Sequence, residues 1–237
     1  MRLKGGAAAA AAVALVAVAG CTEQTTGTGG PQGTADGAAA LVAAEALPVK
    51  GRAPRTGYDR DRFGSPWADT DSNSCGTRDD ILQRDLADVE FSGGGCTVTS
   101  GTLDPDPYTG KDVTFVRGRS QVDIDHVVAL SDAWQKGAQQ WDPGKRIAFA
   151  NDPLNLVAVD AGTNRAKGDG DTATWLPPNR SYRCTYVAAQ VAVKKKYGLW
   201  VTSAEKSAMT RVLTDCPGQR LPTGGNPTQA PPRFHAD

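Results

Sequence analysis

Apolar residues recur with helical spacing in the first half of the segment that is predicted to fold. Four of them lie on one side of a helix: Ile81, Leu82, Leu86 and Val89. Thr77 with Asp80 is a plausible helix start, and the three glycines at 93–95 end the pattern. The spacing therefore predicts a helix over residues 77–90 that packs against the core.

Short runs of alternating or continuously apolar residues predict strands in the segments between helices. The predicted strands cover residues 96–103, 111–116, 121–128 and 154–159. The first two flank the turn sequence DPDPYTG, which is typical of a loop between neighbouring strands.

The remaining periodic segments predict helices. Ser131 is expected to cap a helix that carries Ala133, Trp134 and Ala138, and Thr202 with Glu205 has the spacing of a capping box for a last helix through Leu213. Further helices are predicted over residues 143–150, 162–167 and 182–197. Together these elements predict the α+β class.

Both ends of the chain lack the pattern of a folded core. Residues 1–21 carry Arg2 and Lys4 ahead of an Ala/Val/Leu stretch, as in an export signal. Residues 22–48 have few bulky apolar side chains and predict a flexible tether, and the Pro/Gly-rich residues 217–237 predict a disordered tail. One folded domain is therefore expected over residues 49–216.

The cysteines indicate an oxidising compartment. The sequence Val18-Ala19-Gly20-Cys21 resembles a bacterial lipobox, which implies lipidation of Cys21; the alternative is an ordinary signal peptide with a chance cysteine. The other four cysteines allow three disulfide pairings, of which we favour Cys75 with Cys96 and Cys184 with Cys216, because each pair joins neighbouring segments. No cysteine has zinc-ligand spacing.

The formal net charge of zero hides an asymmetry along the chain. Residues 50–116 hold 8 Lys/Arg and 12 Asp/Glu, whereas residues 117–200 hold 12 Lys/Arg and 8 Asp/Glu. This distribution predicts a modest basic face and argues against a tight, sequence-specific DNA binder.

Only two histidines are present, His126 and His235. His235 lies near the end of the Pro-rich tail, whereas His126 follows Asp125 in the run VDIDHVV. A lone histidine is more often structural than catalytic, but Asn155 and Asn164 follow at spacings that change this interpretation.

The segments DIDHVVALSDAW and NDPLNLVAVDAGTNRAKGD resemble the HNH (His-Me finger) branch of the ββα-metal nucleases. They are most similar to the bacterial family related to the C-terminal domain of GmrSD restriction enzymes. The motif match spans residues 123–169, with looser resemblance over residues 58–216. The resemblance implies a ββα-metal core with additional helices and a small N-terminal β/α portion.

The resemblance also implies roles for individual residues. His126 would be the general base that takes a proton from the attacking water. Asp125 and Asn164 would hold a divalent cation, and their hard oxygen ligands favour Mg²⁺, or another divalent cation such as Mn²⁺, over Zn²⁺.

Four further residues receive supporting roles or open ones. Asn155 would organise the loop and hold the strand that carries His126. Lys167 and Arg165 would contact phosphate or belong to a solvated helix end. Asp123 would either support the metal ligands or be a turn residue.

These expectations describe a metal-dependent endonuclease that cleaves DNA, possibly RNA, outside the cytoplasm with little sequence preference. We expect a monomer, secreted or held at the cell membrane only through its lipid. The alternative is a surface lipoprotein that uses an inactive HNH scaffold to bind nucleic acid or the envelope. A serine hydrolase built on Ser131 is disfavoured because Ser131 lacks a nucleophile-elbow sequence.

Overall fold

The computed structural model describes residues 39–119 and 121–236. The described part is a mixture of α-helices and β-strands, so the predicted α+β class is confirmed. The helices are α1 Ala40–Ala46, α2 Thr77–Asp85, α3 Leu130–Gln135, α4 Pro143–Ala150, α5 Ala161–Lys167, α6 Arg183–Tyr197 and α7 Ser203–Thr214. The strands are β1 Ala87–Phe91, β2 Val98–Leu103, β3 Val113–Val116, β4 Val122–His126 and β5 Leu156–Asp160.

The strands form two antiparallel sheets. One contains β1, β2 and β3 in that order, and the other pairs β4 with β5 so that His126 lies opposite Leu156. Gly101 and Leu103 of β2 and Val113 and Phe115 of β3 are buried at alternate positions beneath α2, which follows the pleat of a half-buried sheet. Helix α5 directly follows β5 and contacts both strands of the second sheet.

A helical layer packs beside the two sheets. Helix α6 buries Tyr186, Val187 and Val191 against α1 and α7, in a cluster that also contains Met209 and Leu213. The helix ends at Gly198, whose left-handed conformation (φ +70°) suits glycine. No helix among residues 39–119 and 121–236 has the length and apolar character needed to cross a membrane.

The helix predicted over residues 77–90 is too long. Helix α2 ends at Asp85, because Leu86 has an extended backbone, and the chain continues as β1. The three glycines form the turn between β1 and β2 rather than a helix end. Ser131 is also not a cap: the N-cap of α3 is Ala129, and Ser131 is buried inside that helix.

Both predicted flexible ends are shorter than expected. Part of the tether, Ala40–Ala46, is a helix whose Ala40 and Ala44 are fully buried against α6 and α7. Small alanine side chains allow helices to pack closely. The sequence pattern did not reveal this packing, because the segment has few bulky apolar residues. The signal segment and Cys21 lie outside the described residues.

The predicted disordered tail is also wrong for its described part, because it makes specific contacts. The backbone N–H of Asn226 donates to Asp152, and its carbonyl accepts from Lys196. Further along, Arg233 donates to the Asp69 carbonyl. Polar contacts of this kind cannot be predicted from the pattern of apolar residues along the sequence.

The favoured cysteine pairing is confirmed. Cys75 is bonded to Cys96 and Cys184 to Cys216. The first bond ties the loop before α2 to the start of β2, and the second ties α6 to the residues after α7.

Lys194, in the last turn of α6, is fully buried. Its Nζ lies 3.0 Å from both Asp132 and Glu205. Lys136 binds the same two acids and Asp171 at 2.6–2.8 Å. Arg52 completes a group of three cations and three anions, which we call the buried charge cluster. Arg52 is partly exposed, and the burial of the other five charges is tolerated because opposite charges surround them.

Candidate functional site

The residues singled out by the motif meet at the end of strand β4. Asp125, His126 and Asn164 line one cleft of about 210 Å³. In a longer strand, the consecutive side chains of Asp125 and His126 would point to opposite faces. Because strand β4 ends at His126, both side chains reach this cleft. Asn164 comes from α5, which packs on β4.

His126 is held as a neutral base. Its Nε2 lies 2.9 Å from the carbonyl oxygen of Ala150, which can only accept, so Nε2 carries the proton and Nδ1 is the free basic nitrogen. Burial lowers the pKa of His126 from 6.5 to about 3, and the nearby charges of Arg60 and Lys167 act in the same direction. The imidazole is therefore unprotonated at neutral pH.

Asp125 is buried between two donors. Lys167 Nζ lies 2.8 Å from Oδ1, and the Tyr108 hydroxyl donates to Oδ2. Burial raises the pKa of Asp125, while Lys167 and Tyr108 oppose this effect. Tyr108 is fully buried and lies outside the sequence motif, so the pattern gave no signal for it.

Lys167 does not fit the phosphate contact expected for it. Its side chain is fully buried, and Nζ also donates to the backbone carbonyl of His126 at 2.8 Å. One ammonium group thus fixes both the metal-ligand candidate and the backbone of the base candidate. Its nitrogen is enclosed by Asp125 and the His126 backbone, so the structure does not place Lys167 for the phosphate contact or the solvated helix end that the sequence left open.

Asn155 joins the chain before β5 to the chain after β4. Its Oδ1 accepts from the Val128 N–H at 2.9 Å, and its Nδ2 donates to the Val128 carbonyl at 3.3 Å. The Asn155 carbonyl also accepts from the Val127 N–H. These contacts are those that a residue holding the His126 strand in place would need.

The remaining motif residues surround Asp123. Asn164 Nδ2 donates to Asp123 at 3.4 Å, and Arg165 Nε lies 3.5 Å from the same carboxylate oxygen. The Asn164 amide is thereby oriented with its nitrogen toward Asp123. The Arg165 side chain is 74% exposed and remains available to an anion from solution.

The donor set suits a hard cation with few protein ligands. The described residues contain no group of three or more His, Cys, Asp or Glu side chains placed to bind a metal. However, an ionised carboxylate offers about four lone-pair positions, so Asp125 retains acceptor capacity beside its two donors. One carboxylate and the Asn164 amide oxygen, completed by water and phosphate, form the sparse set that Mg²⁺ accepts.

Sequence reasoning missed three residues that line the same cleft: Tyr58, Arg60 and Asp169. Arg60 is exposed and has no ion-pair partner among the residues that the structure describes. Tyr58 and Arg60 lie in the segment YDRDRFGSPWADTD, whose aromatic and turn residues do not indicate that a loop folds over a distant strand end.

The basic face is smaller than the charge count implied. Three of the cations between residues 117 and 200, namely Lys136, Lys167 and Lys194, are buried and paired with acids. The exposed positive charge comes instead from Arg60, which lines the cleft, and from Arg165, which follows the lining residue Asn164. Weak, non-specific attraction of polyanions remains the expected electrostatic behaviour.

Comparison with known proteins yields a family and a relative. A family model described as the C-terminal domain of GmrSD restriction endonucleases matches residues 76–212. A protein of Arthroderma benhamiae (strain ATCC MYA-4681 / CBS 112371), described as an uncharacterized secreted protein, is 46% identical over 172 residues. That alignment covers 72% of this chain and 81% of the relative. No solved structure is significantly similar to the chain.

Proposed function

We propose that this protein is an HNH-type endonuclease that hydrolyses phosphodiester bonds. The premise is its family: the chain belongs to the family of the GmrSD restriction endonuclease C-terminal domain. The observation that carries this proposal is the neutral imidazole of His126 at one cleft with Asp125 and Asn164. A buried, uncharged base beside two oxygen ligands is what hydrolysis of a phosphate diester needs.

The proton transfer falls to His126. With Nε2–H bound to Ala150, Nδ1 accepts the proton of a water molecule as its oxygen bonds to phosphorus. The bond from phosphorus to the leaving 3′-oxygen breaks, and that oxygen takes a proton from solvent. Asp125 and Asn164 would hold Mg²⁺, which when bound supplies Lewis-acid stabilisation of the developing charge.

Other residues serve the substrate or the base. Arg60 and Arg165 present exposed guanidinium groups at or near the cleft and are the proposed phosphate contacts. Lys167 and Asn155 position Asp125 and the backbone around His126. DNA and RNA are both proposed substrates, with little sequence preference.

The protein is proposed to act outside the cytoplasm. Two disulfides and a relative described as a secreted protein agree with an extracellular location. Anchoring through a lipid on Cys21, and action as a monomer, are further parts of the proposal.

One observation favours a second candidate, an HNH scaffold that binds without cutting. The ion pair between Asp125 and Lys167 partly neutralises the carboxylate proposed to hold the cation. A binder would use the same cleft and the same exposed arginines but would need no divalent cation.

The test is incubation of the purified protein with linear DNA and with RNA, in Mg²⁺, in Mn²⁺ and in EDTA. We expect strand cleavage with either cation and none in EDTA. Retention of bound nucleic acid without cleavage under all three conditions would favour the binding scaffold.

A further inference from the structure

A second pocket lies beside His126. It has a volume of about 80 Å³ and an apolar lining that includes Phe63, Pro66, Trp67 and Leu130. A water molecule needs roughly 10–15 Å³ of such volume, so the pocket holds on the order of six waters. That space is comparable to one six-membered ring.

Two nearly parallel rings flank this pocket. The ring centroids of Trp67 and His126 are 6.3 Å apart, and the planes differ by only 14°. Offset-stacked aromatic pairs have ring centroids about 4.5–7 Å apart, so the two rings present parallel aromatic surfaces at the wall of the pocket.

The backbone of Trp67 is strained. Its φ is +60°, a conformation that bulky L-residues rarely adopt. The strain is maintained by bonds from Thr77, whose N–H donates to the Trp67 carbonyl and whose hydroxyl donates to the Ala68 carbonyl. Trp67 is only half-buried: it packs at the edge of the core beside α2 and near the Arg78 guanidinium, and part of its surface lines the pocket.

The apolar pocket is continuous with the polar cleft. Arg60, His126 and Leu130 line both. A nucleotide with its phosphate in the cleft therefore has the apolar pocket next to it. Stacking would engage the face of the imidazole, whereas Nδ1 lies on the ring edge and stays available for proton transfer.

We infer that this pocket binds one nucleobase of the substrate strand, against the aromatic rings of Trp67 and His126, and that the preferred substrate is unpaired nucleic acid. This inference rests on the proposed function. A base in a duplex is stacked and paired and cannot enter without being extruded, whereas a single strand offers its bases freely. Stacking on aromatic side chains is tolerant of sequence, which agrees with low specificity.

The first test is a binding measurement in EDTA, where no cleavage is expected. A fluorescein-labelled single-stranded DNA octamer is compared by anisotropy with an octamer of the same length whose sugars carry no bases. We expect the base-bearing strand to bind roughly tenfold more tightly. Equal affinities for the two strands would overturn the inference, whatever any variant does.

Variants of Trp67 assign the effect to this pocket. Trp67→Ala is expected to abolish the difference between the two octamers, and Trp67→Phe to keep most of it. Trp141→Phe, which changes an indole outside the pocket, is the matched control and should behave as the wild type. A base-dependent affinity that survives in a folded Trp67→Ala protein would place the base elsewhere and overturn the assignment.

A cleavage assay separates this inference from the proposed function. With Mg²⁺ present, single strands should be cut at least tenfold faster than the matched duplex. Within a single strand that carries one abasic position, the phosphodiester beside that position should be cut most slowly. Equal cutting of all these bonds would leave the nuclease proposal standing and remove the base pocket. Base-dependent binding without any cutting would leave the base pocket standing and remove the nuclease proposal.

Discussion

Burial of a histidine without a counter-charge makes His126 a base whose protonation is linked to folding. The pKa of His126 is about 3 in the folded protein and near 6.5 when unfolded. Below pH 6.5 the unfolded chain binds a proton that the folded chain does not. The contribution of His126 to stability is therefore fully present above pH 6.5 and is lost as the pH falls toward 3.

This linkage predicts the pH dependence of unfolding. Between pH 6 and 4, His126 should lower the free energy of unfolding by about 1.4 kcal/mol for each pH unit. Urea unfolding of His126→Gln should show a slope shallower by this amount. The exposed His235, replaced in His235→Gln, serves as the control, and identical slopes for His126→Gln and the wild type would contradict the account.

Lys167 is predicted to be a stability residue. Lys167→Met leaves the buried Asp125 carboxylate without its cation, which costs about 3–5 kcal/mol and lowers Tm by roughly 10 °C or more. Adding Asp125→Asn to this variant should recover part of the loss. The measurement is thermal unfolding followed by circular dichroism.

Arg165→Met is the matched control, because Arg165 lies on the same helix but is exposed. It should leave Tm nearly unchanged and weaken nucleic-acid binding. If Lys167→Met instead kept its Tm and lost only binding, Lys167 would be a phosphate contact after all.

At the scale of elements, the strands and helices nearest the chemistry were the most predictable. The 143–150 helix was predicted at its observed bounds, and the strand carrying His126 was predicted within two residues of its ends. The local apolar pattern and Pro143 at the helix start determine them. The end of helix α2 was predicted too far along the chain, because Leu86 and Val89 fit the apolar stripe of a helix as well as they fit positions in or before a strand.

The C-terminal segment, residues 218–236, could not be predicted because its contacts are polar and distant in sequence. Asn226 binds Asp152, Lys196 and Thr70 from three separate parts of the chain. Removal of residues 218–237 should therefore lower the free energy of unfolding by about 1–3 kcal/mol in urea, since the buried Asp152 loses a donor.

The control for this truncation is Thr223→Ala, which alters an exposed residue within the same segment. It should unfold like the wild type. An unchanged stability after truncation, together with rapid proteolysis of the tail in the native protein, would restore the expectation of disorder.

At the scale of the whole molecule, the buried charge cluster joins distant parts of the chain. Arg52, Asp132, Asp171 and Glu205 come from the N-terminal segment, α3, the loop after α5, and α7. Nothing in the sequence indicated this cluster, because pairing inside a fold has no local pattern. The cluster fixes Asp171, two residues after the cleft residue Asp169.

The candidate site was predictable to the extent that it follows one motif. Asp125, His126 and Asn164 were named from spacing, and all three line one cleft. Tyr108, Arg60 and Trp67 were missed, because their place beside Asp125 or His126 depends on loops packed against the strand. A motif indicates which residues react, whereas the substrate contacts depend on the fold around them.

The most direct measurement of the central claim is the single-turnover rate at which a labelled single strand is cut in Mg²⁺ by the wild type, His126→Ala and His235→Ala. We predict that His126→Ala loses at least 10²-fold in rate with an unchanged circular dichroism spectrum, while His235→Ala matches the wild type. A folded His126→Ala protein that cuts at the wild-type rate would contradict the assignment of His126 as the base.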